Sequence, residues 1–167
     1  MIFNKKHNNN LYNILLQLSR NIFFYKKINL DDSFETRIFL MFFHFSILMI
    51  IFKKKGKKFE QKEYDNVFFN IENNLRELGF GDVSVNKKMK DLNKLLYDIL
   101  LKIDDSNKND FKLNKKLVLK YFSSLKDENN PKTQDFERYF KEFYKFCFEL
   151  PRSEEHTSEL QSPMYLV

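Results

Sequence analysis

Apolar residues recur at helical spacing in six segments of this chain, and one segment is apolar on almost every side. In the first, Leu11, Ile14, Leu15, Leu18 and Ile22 form a stripe after an Asn-rich start. The second opens at DDSFE, where Asp32 is placed to cap a helix and Glu35, three residues on, to complete a capping box. It continues through IFLMFFHFSILMIIF, residues 38–52, to a lysine cluster and Gly56. Lysines suit the negative end of a helix dipole, and glycine suits the stop. The third carries Tyr64, Val67, Phe68, Ile71, Leu75 and Leu78 on one face, with Gly79 as terminator. The fourth, from about Ser84, aligns Met89, Leu92, Leu96, Ile99 and Ile103. After the polar link DDSNKND comes a fifth with Leu113, Leu117, Tyr121 and Phe122. The sixth starts at NNP, with Pro131 at the first helical position, and carries Phe136, Tyr139, Phe140, Phe143 and Cys147. No stretch of useful length alternates with period two. The pattern predicts an all-α, compact bundle of about six helices around a central apolar helix at 33–55, within one domain over residues 1–151.

The apolar segment has two readings, a bundle centre or a helix in lipid. Its 15-residue run at 1.5 Å per residue reaches about 22 Å, short of the roughly 30 Å of hydrocarbon. Glu35 and Arg37 stand within a turn of its start and limit any extension. The five amphipathic segments can wrap a helix that is apolar all round, which favours the buried reading. On such a helix His44 is expected to be a hydrogen-bonded core residue, since no second metal-ligating side chain accompanies it.

Composition changes this picture in three ways. The chain has 24 Lys against 5 Arg, 20 Phe and 18 Asn, a bias that A/T-rich codons produce without selection for charge. With three Gly and three Pro, sharp turns are few and long elements are favoured. One cysteine, Cys147, excludes a disulfide framework and a cysteine-based zinc site, and fits a reducing compartment. Residues 152–167, RSEEHTSELQSPMYLV, contain no Lys, Phe or Asn, and RSEEHTSELQS reads as translated sequencing-adapter oligonucleotide. That stretch is set aside as a tag would be. It carries one Arg and three Glu, so without it the net charge rises from +6 to +8. At the other end, MIFNKKHNNN lacks a secretory apolar region, and Arg20 is the one arginine in an otherwise transit-peptide-like first thirty residues.

Candidate chemistry is sparse. GFGD, residues 79–82, lacks the third glycine and the preceding strand of a phosphate loop. Cys147 sits at helical spacing among Phe and Leu, with no histidine partner that the sequence can point to. A non-enzymatic protein without a cofactor is expected. Lys87, Lys88 and Lys90 open the fourth segment, where cations oppose the helix dipole. Their position favours an interaction surface for anionic lipid, RNA or an acidic peptide over a role in helix stability, with a solvated lysine face as the plain alternative.

The stretch LRELGFGDVSVNKKMKDLNKLLYDIL, residues 75–100, resembles the ubiquinol–cytochrome c chaperone family. Arg76, Glu77, Leu78, Gly79, Gly81, Asp82, Ser84, Val85, Lys87, Lys88 and Met89 match that family's motif in order and spacing. Upstream, Asp32, Ser33, Arg37 and His44 fall on the polar positions of a second family segment, so the resemblance covers roughly residues 10–103. Thr36 and Asn86 stand where the family has glycine, and Asp98 follows Tyr97 where Gly-Arg is usual. The resemblance implies a helical assembly factor for the cytochrome bc1 complex that binds newly made cytochrome b. It further implies a small partner protein or the ribosome as companions, and a short A/T-rich member such as this one fits the family's alphaproteobacterial version. Localisation would be cytoplasmic and peripheral to the inner membrane, or matrix in a mitochondrion, with transient membrane-surface contact and no specific DNA. Arg76, Asp82, Lys87, Lys88 and Lys90 are then the candidate client-binding residues, and Asp32, Arg37, His44, Gly79, Gly81 and Ser84 the structural signature. The alternative is a basic peripheral-membrane or RNA-associated helical protein.

Overall fold

The computed structural model describes residues 10–107 and 110–150. Among the described residues six α-helices follow one another: α1 (Asn10–Ser19), α2 (Phe34–Lys54), α3 (Gln61–Glu77), α4 (Asp82–Lys102), α5 (Lys115–Tyr121) and α6 (Pro131–Glu149). A π-helical turn, Phe23–Lys27, joins α1 to α2, and a 3-10 turn, Ser123–Leu125, follows α5. Among the described residues the sole β pairing is an isolated bridge between Asp104 and Leu113, which closes the link from α4 to α5. The chain is an all-α bundle, as its periodicity predicts.

The central helix is α2, and its neighbours account for its composition. Leu40, Phe42, Phe43, Phe45 and Ile47 are fully buried. Helices α1, α4 and α6 contact it directly, and α3 adds Phe68, stacked on Phe42 at 5.7 Å. At 21 residues α2 is long and apolar enough to cross a membrane by length and hydropathy, longer than the 15-residue run alone suggests. Its apolar surface nevertheless faces protein, as an all-round apolar helix requires in a bundle. It ends in a Schellman motif: Lys57 N–H reaches Phe52 O at 2.9 Å, and Gly56 N–H reaches Lys53 O at 3.1 Å, with Gly56 at φ +69°.

Three details depart from the sequence reading. Ser33, not Asp32, caps α2: its hydroxyl accepts the Thr36 N–H at 3.2 Å. Glu35 therefore falls one residue short of the capping-box position, which Thr36 occupies, and Asp32 instead pairs with Arg37 at 2.6 Å. Ile22 lies outside α1 and is 60% exposed. The buried Asn21 carboxamide oxygen accepts the Phe23 N–H at 3.1 Å and starts the π-turn, which delivers Phe24 to the core in place of Ile22. The Phe24 ring meets Tyr139 edge-on at 4.8 Å. Leu78, placed on the core stripe by spacing, is instead exposed at the C-cap of α3.

Candidate functional site: the turn between α3 and α4

The turn from α3 into α4 is built by two opposite backbone requirements. Helix α3 closes with Gly79 N–H on Arg76 O at 3.0 Å and Phe80 N–H on Leu75 O at 3.3 Å. That closure holds Gly79 at φ +97°, where a side chain is strained. Two residues later Gly81 is the N-cap of α4, in extended conformation and without a side-chain cap bond. Neither Asp82 nor Ser84 caps the helix. Asp82 occupies its first position, where a carboxylate suits the dipole, and forms an ion pair with Arg76 across the turn. Arg76 also lies 3.7 Å from Glu72. Val85, fully buried, anchors the first turn of α4 in the core.

With the backbone fixed this way, three apolar side chains face water together with cations. Leu78 is 57%, Phe80 38% and Val83 86% exposed. Lys88 Nζ lies 4.7 Å from the Phe80 ring centroid, a cation–π contact that holds the ring at the surface. Lys87, Lys90 and Ser84 are exposed. Of the five candidate client-binding residues, the structure brings Arg76 and Asp82 together as a clamp across the turn and sets the three lysines along the start of α4. Sequence reasoning did not single out Leu78, Phe80 and Val83 as surface residues. The signal was present for Val83, two residues before Val85 and so off the stripe of Val85, Leu96 and Ile99.

The remaining signature residues serve the scaffold. Asp32 and Arg37 pair at the start of α2. His44 is fully buried; its Nδ1–H donates to Leu40 O at 2.6 Å and its Nε2 accepts the Tyr139 hydroxyl at 2.8 Å. Burial lowers its pKa to about 3, against the Leu40 hydrogen bond, which raises it, so the ring is neutral. Burial likewise pushes the Cys147 thiol up, away from thiolate chemistry. Among the described residues no group of three His, Cys, Asp or Glu side chains is placed to hold a metal ion. A shallow depression of about 450 Å³ lies elsewhere, between Phe111 and the Tyr144–Phe148 face of α6. The turn thus offers an apolar edge rimmed by positive charge, suited to binding and lacking an activated nucleophile.

The profile of the ubiquinol-cytochrome C chaperone family matches residues 26–138. The chain belongs to that family. The match spans α2 to α5 and the first part of α6, so the central helix and the α3–α4 turn both fall inside it. It starts after α1 and extends past residue 103, a different span from the 10–103 resemblance read from motifs. Membership supports an assembly-chaperone role for the ubiquinol–cytochrome c (bc1) complex and a client protein from that complex. Comparison with curated proteins and with solved structures gives no match.

Proposed function

We propose that this protein is a non-enzymatic assembly chaperone of the bc1 complex that holds newly made cytochrome b at the α3–α4 turn. The observation that carries the reading is the exposed trio Leu78, Phe80 and Val83, set beside Lys87 and Lys88 within the span that matches the family. An unassembled membrane protein presents apolar helices and polar loops near headgroups. An apolar edge rimmed by lysines is complementary to both. Such a chaperone acts where its client enters the membrane, on the cytoplasmic or matrix face.

Magnitudes fit a chaperone that releases what it holds. Burying three partly exposed side chains contributes about 1.5–3 kcal/mol each at most. Association costs on the order of 4–15 kcal/mol in lost translational and rotational freedom. The turn alone therefore gives a weak, reversible contact, and tight capture needs additional client surface. Arg76 and Asp82 contribute by fixing the turn, because their charges are directed at each other.

The test is co-purification of cytochrome b with a tagged Lys87→Glu/Lys88→Glu variant, alongside Leu78→Asp/Val83→Asp. Both pairs sit on exposed or half-buried positions, so helical circular dichroism should be unchanged. The proposal expects cytochrome b to be lost from both pull-downs. Undiminished recovery with both would sink it.

A further inference from the structure

The outward face of α4 carries a pattern that shares Val83 and Lys87 with the turn and runs about four helical turns beyond it. Val83, Lys87, Lys90, Lys94, Tyr97 and Leu101 are all exposed. Their spacings of four, three, four, three and four residues place them on one strip about 80° wide and about 27 Å long. The buried residues Val85, Leu96 and Ile99 lie on the opposite side. Val83 is 86%, Tyr97 53% and Leu101 80% exposed, so large apolar groups stand at both ends of three consecutive lysines.

The carboxylates of α4 leave the strip positive. Asp82 is paired with Arg76. Asp98 is held by Lys102 at 2.6 Å, by Lys120 at 2.7 Å and by the Tyr121 hydroxyl. Asp91 is exposed but lies to one flank, about 80° from the strip's centre.

We infer that this face of α4 is a docking face for an anionic phospholipid bilayer. Lysine stems spread along a surface while their ammonium groups meet phosphates, and the tyrosine ring suits the headgroup layer. Valine and leucine at the two ends can enter the acyl boundary, as on interfacial helices. A docked partner helix would instead need a continuous apolar seam, and here the middle of the strip is lysine. The inference rests on the proposed function only for its purpose, which is to set the chaperone on the membrane that receives its client. The buried helix α2 stays inside the bundle.

Flotation of the purified full chain with vesicles tests it. Wild type should float with phosphatidylglycerol–phosphatidylcholine vesicles roughly 100-fold more strongly than with phosphatidylcholine alone, at about fivefold for each of the three lysines. Lys94→Glu/Leu101→Asp, away from the turn, should reduce anionic-vesicle binding at least about tenfold and leave cytochrome b capture from detergent extract intact. The exposed control Lys126→Glu/Lys132→Glu should change flotation little. Equal loss in the control would show general charge attraction and overturn the inference, as would equal binding to both vesicle types or full binding by the α4 variant. Loss of cytochrome b capture with flotation preserved would strike the proposed function alone.

Discussion

His44 of α2 and Tyr139 of α6 are joined by a 2.8 Å hydrogen bond in the middle of the bundle, where the histidine is fully buried. The Leu40 carbonyl accepts the Nδ1–H hydrogen bond, which leaves Nε2 as an acceptor that only a donor such as the Tyr139 hydroxyl can satisfy. Phe140 and Phe143 close around the imidazole, each at 4.8 Å. One polar pair thus sets the register of α6 on the central helix inside an otherwise aromatic core.

A neutral buried histidine makes stability depend on pH with a definite sign. The folded pKa is lowered to about 3 from 6.5, so below pH 6.5 the unfolded chain binds a proton that the folded chain refuses. Stability is full above that value and falls as pH drops toward about 3, at up to about 1.4 kcal/mol per pH unit. Urea midpoints between pH 7 and 4 should follow this slope, and His44→Gln should flatten it. An identical slope in the variant would contradict the assignment.

Ser46, two residues further along α2, is fully buried, and its hydroxyl has no hydrogen-bond partner among the described residues. An unpaired buried hydroxyl costs about 1–3 kcal/mol. Ser46→Ala should therefore leave stability unchanged or raise it by about 1 kcal/mol, read as a shift in thermal midpoint. A loss of about 1 kcal/mol or more would mean that the hydroxyl has a partner.

The two glycines of the α3–α4 turn should behave differently. Gly79 sits at φ +97° and Gly81 does not, while an added Cβ at either meets nothing within 4 Å. Gly79→Ala should cost about 1–2 kcal/mol of backbone strain, and Gly81→Ala less, limited to the poorer capping of α4 by alanine. Equal costs in denaturant melts would show that the positive φ of Gly79 does not govern the turn.

Asp98 links α4 to α5 through Lys120 and Tyr121, and it also pairs with Lys102. Those hydrogen bonds, first the Lys102 and Lys120 ammonium groups and then the Tyr121 hydroxyl, hold its carboxyl well below the usual carboxylate range. Charge-assisted bonds of this kind contribute about 1.5–3 kcal/mol each at best and less when partly solvated. Asp98→Asn should cost about 1–2 kcal/mol at neutral pH. Because a depressed carboxylate stabilises above its unfolded pKa, that cost should shrink as pH falls below about 4. A cost that persists at low pH would point to packing instead.

Sequence periodicity made the six helices, the central position of α2 and most core faces legible, because each rests on local spacing and on one segment being apolar all round. Gly56, Gly79 and Pro131 also mark observed helix boundaries. The start of α2 was harder to place: Asp32 and Ser33 are both good caps by residue type, and the structure seats Ser33 at the cap and Asp32 on Arg37. Ile22 and Leu78 fit their helical stripes by spacing, but tertiary geometry leaves them outside the core. Asp98, a departure from the family pattern, gains its role from lysine and tyrosine side chains 22 and 23 residues on, which no local pattern reveals. At the turn, glycines and lysines stood out in the sequence, whereas the exposed apolar trio required knowing which faces the bundle covers.

The most direct test places a photoreactive amino acid at Val83 and irradiates cells while cytochrome b is being made. The account predicts a crosslink between position 83 and newly made cytochrome b, and little or none from the same probe at Lys126. No cytochrome b adduct at position 83, or equal adducts at both positions, would contradict it.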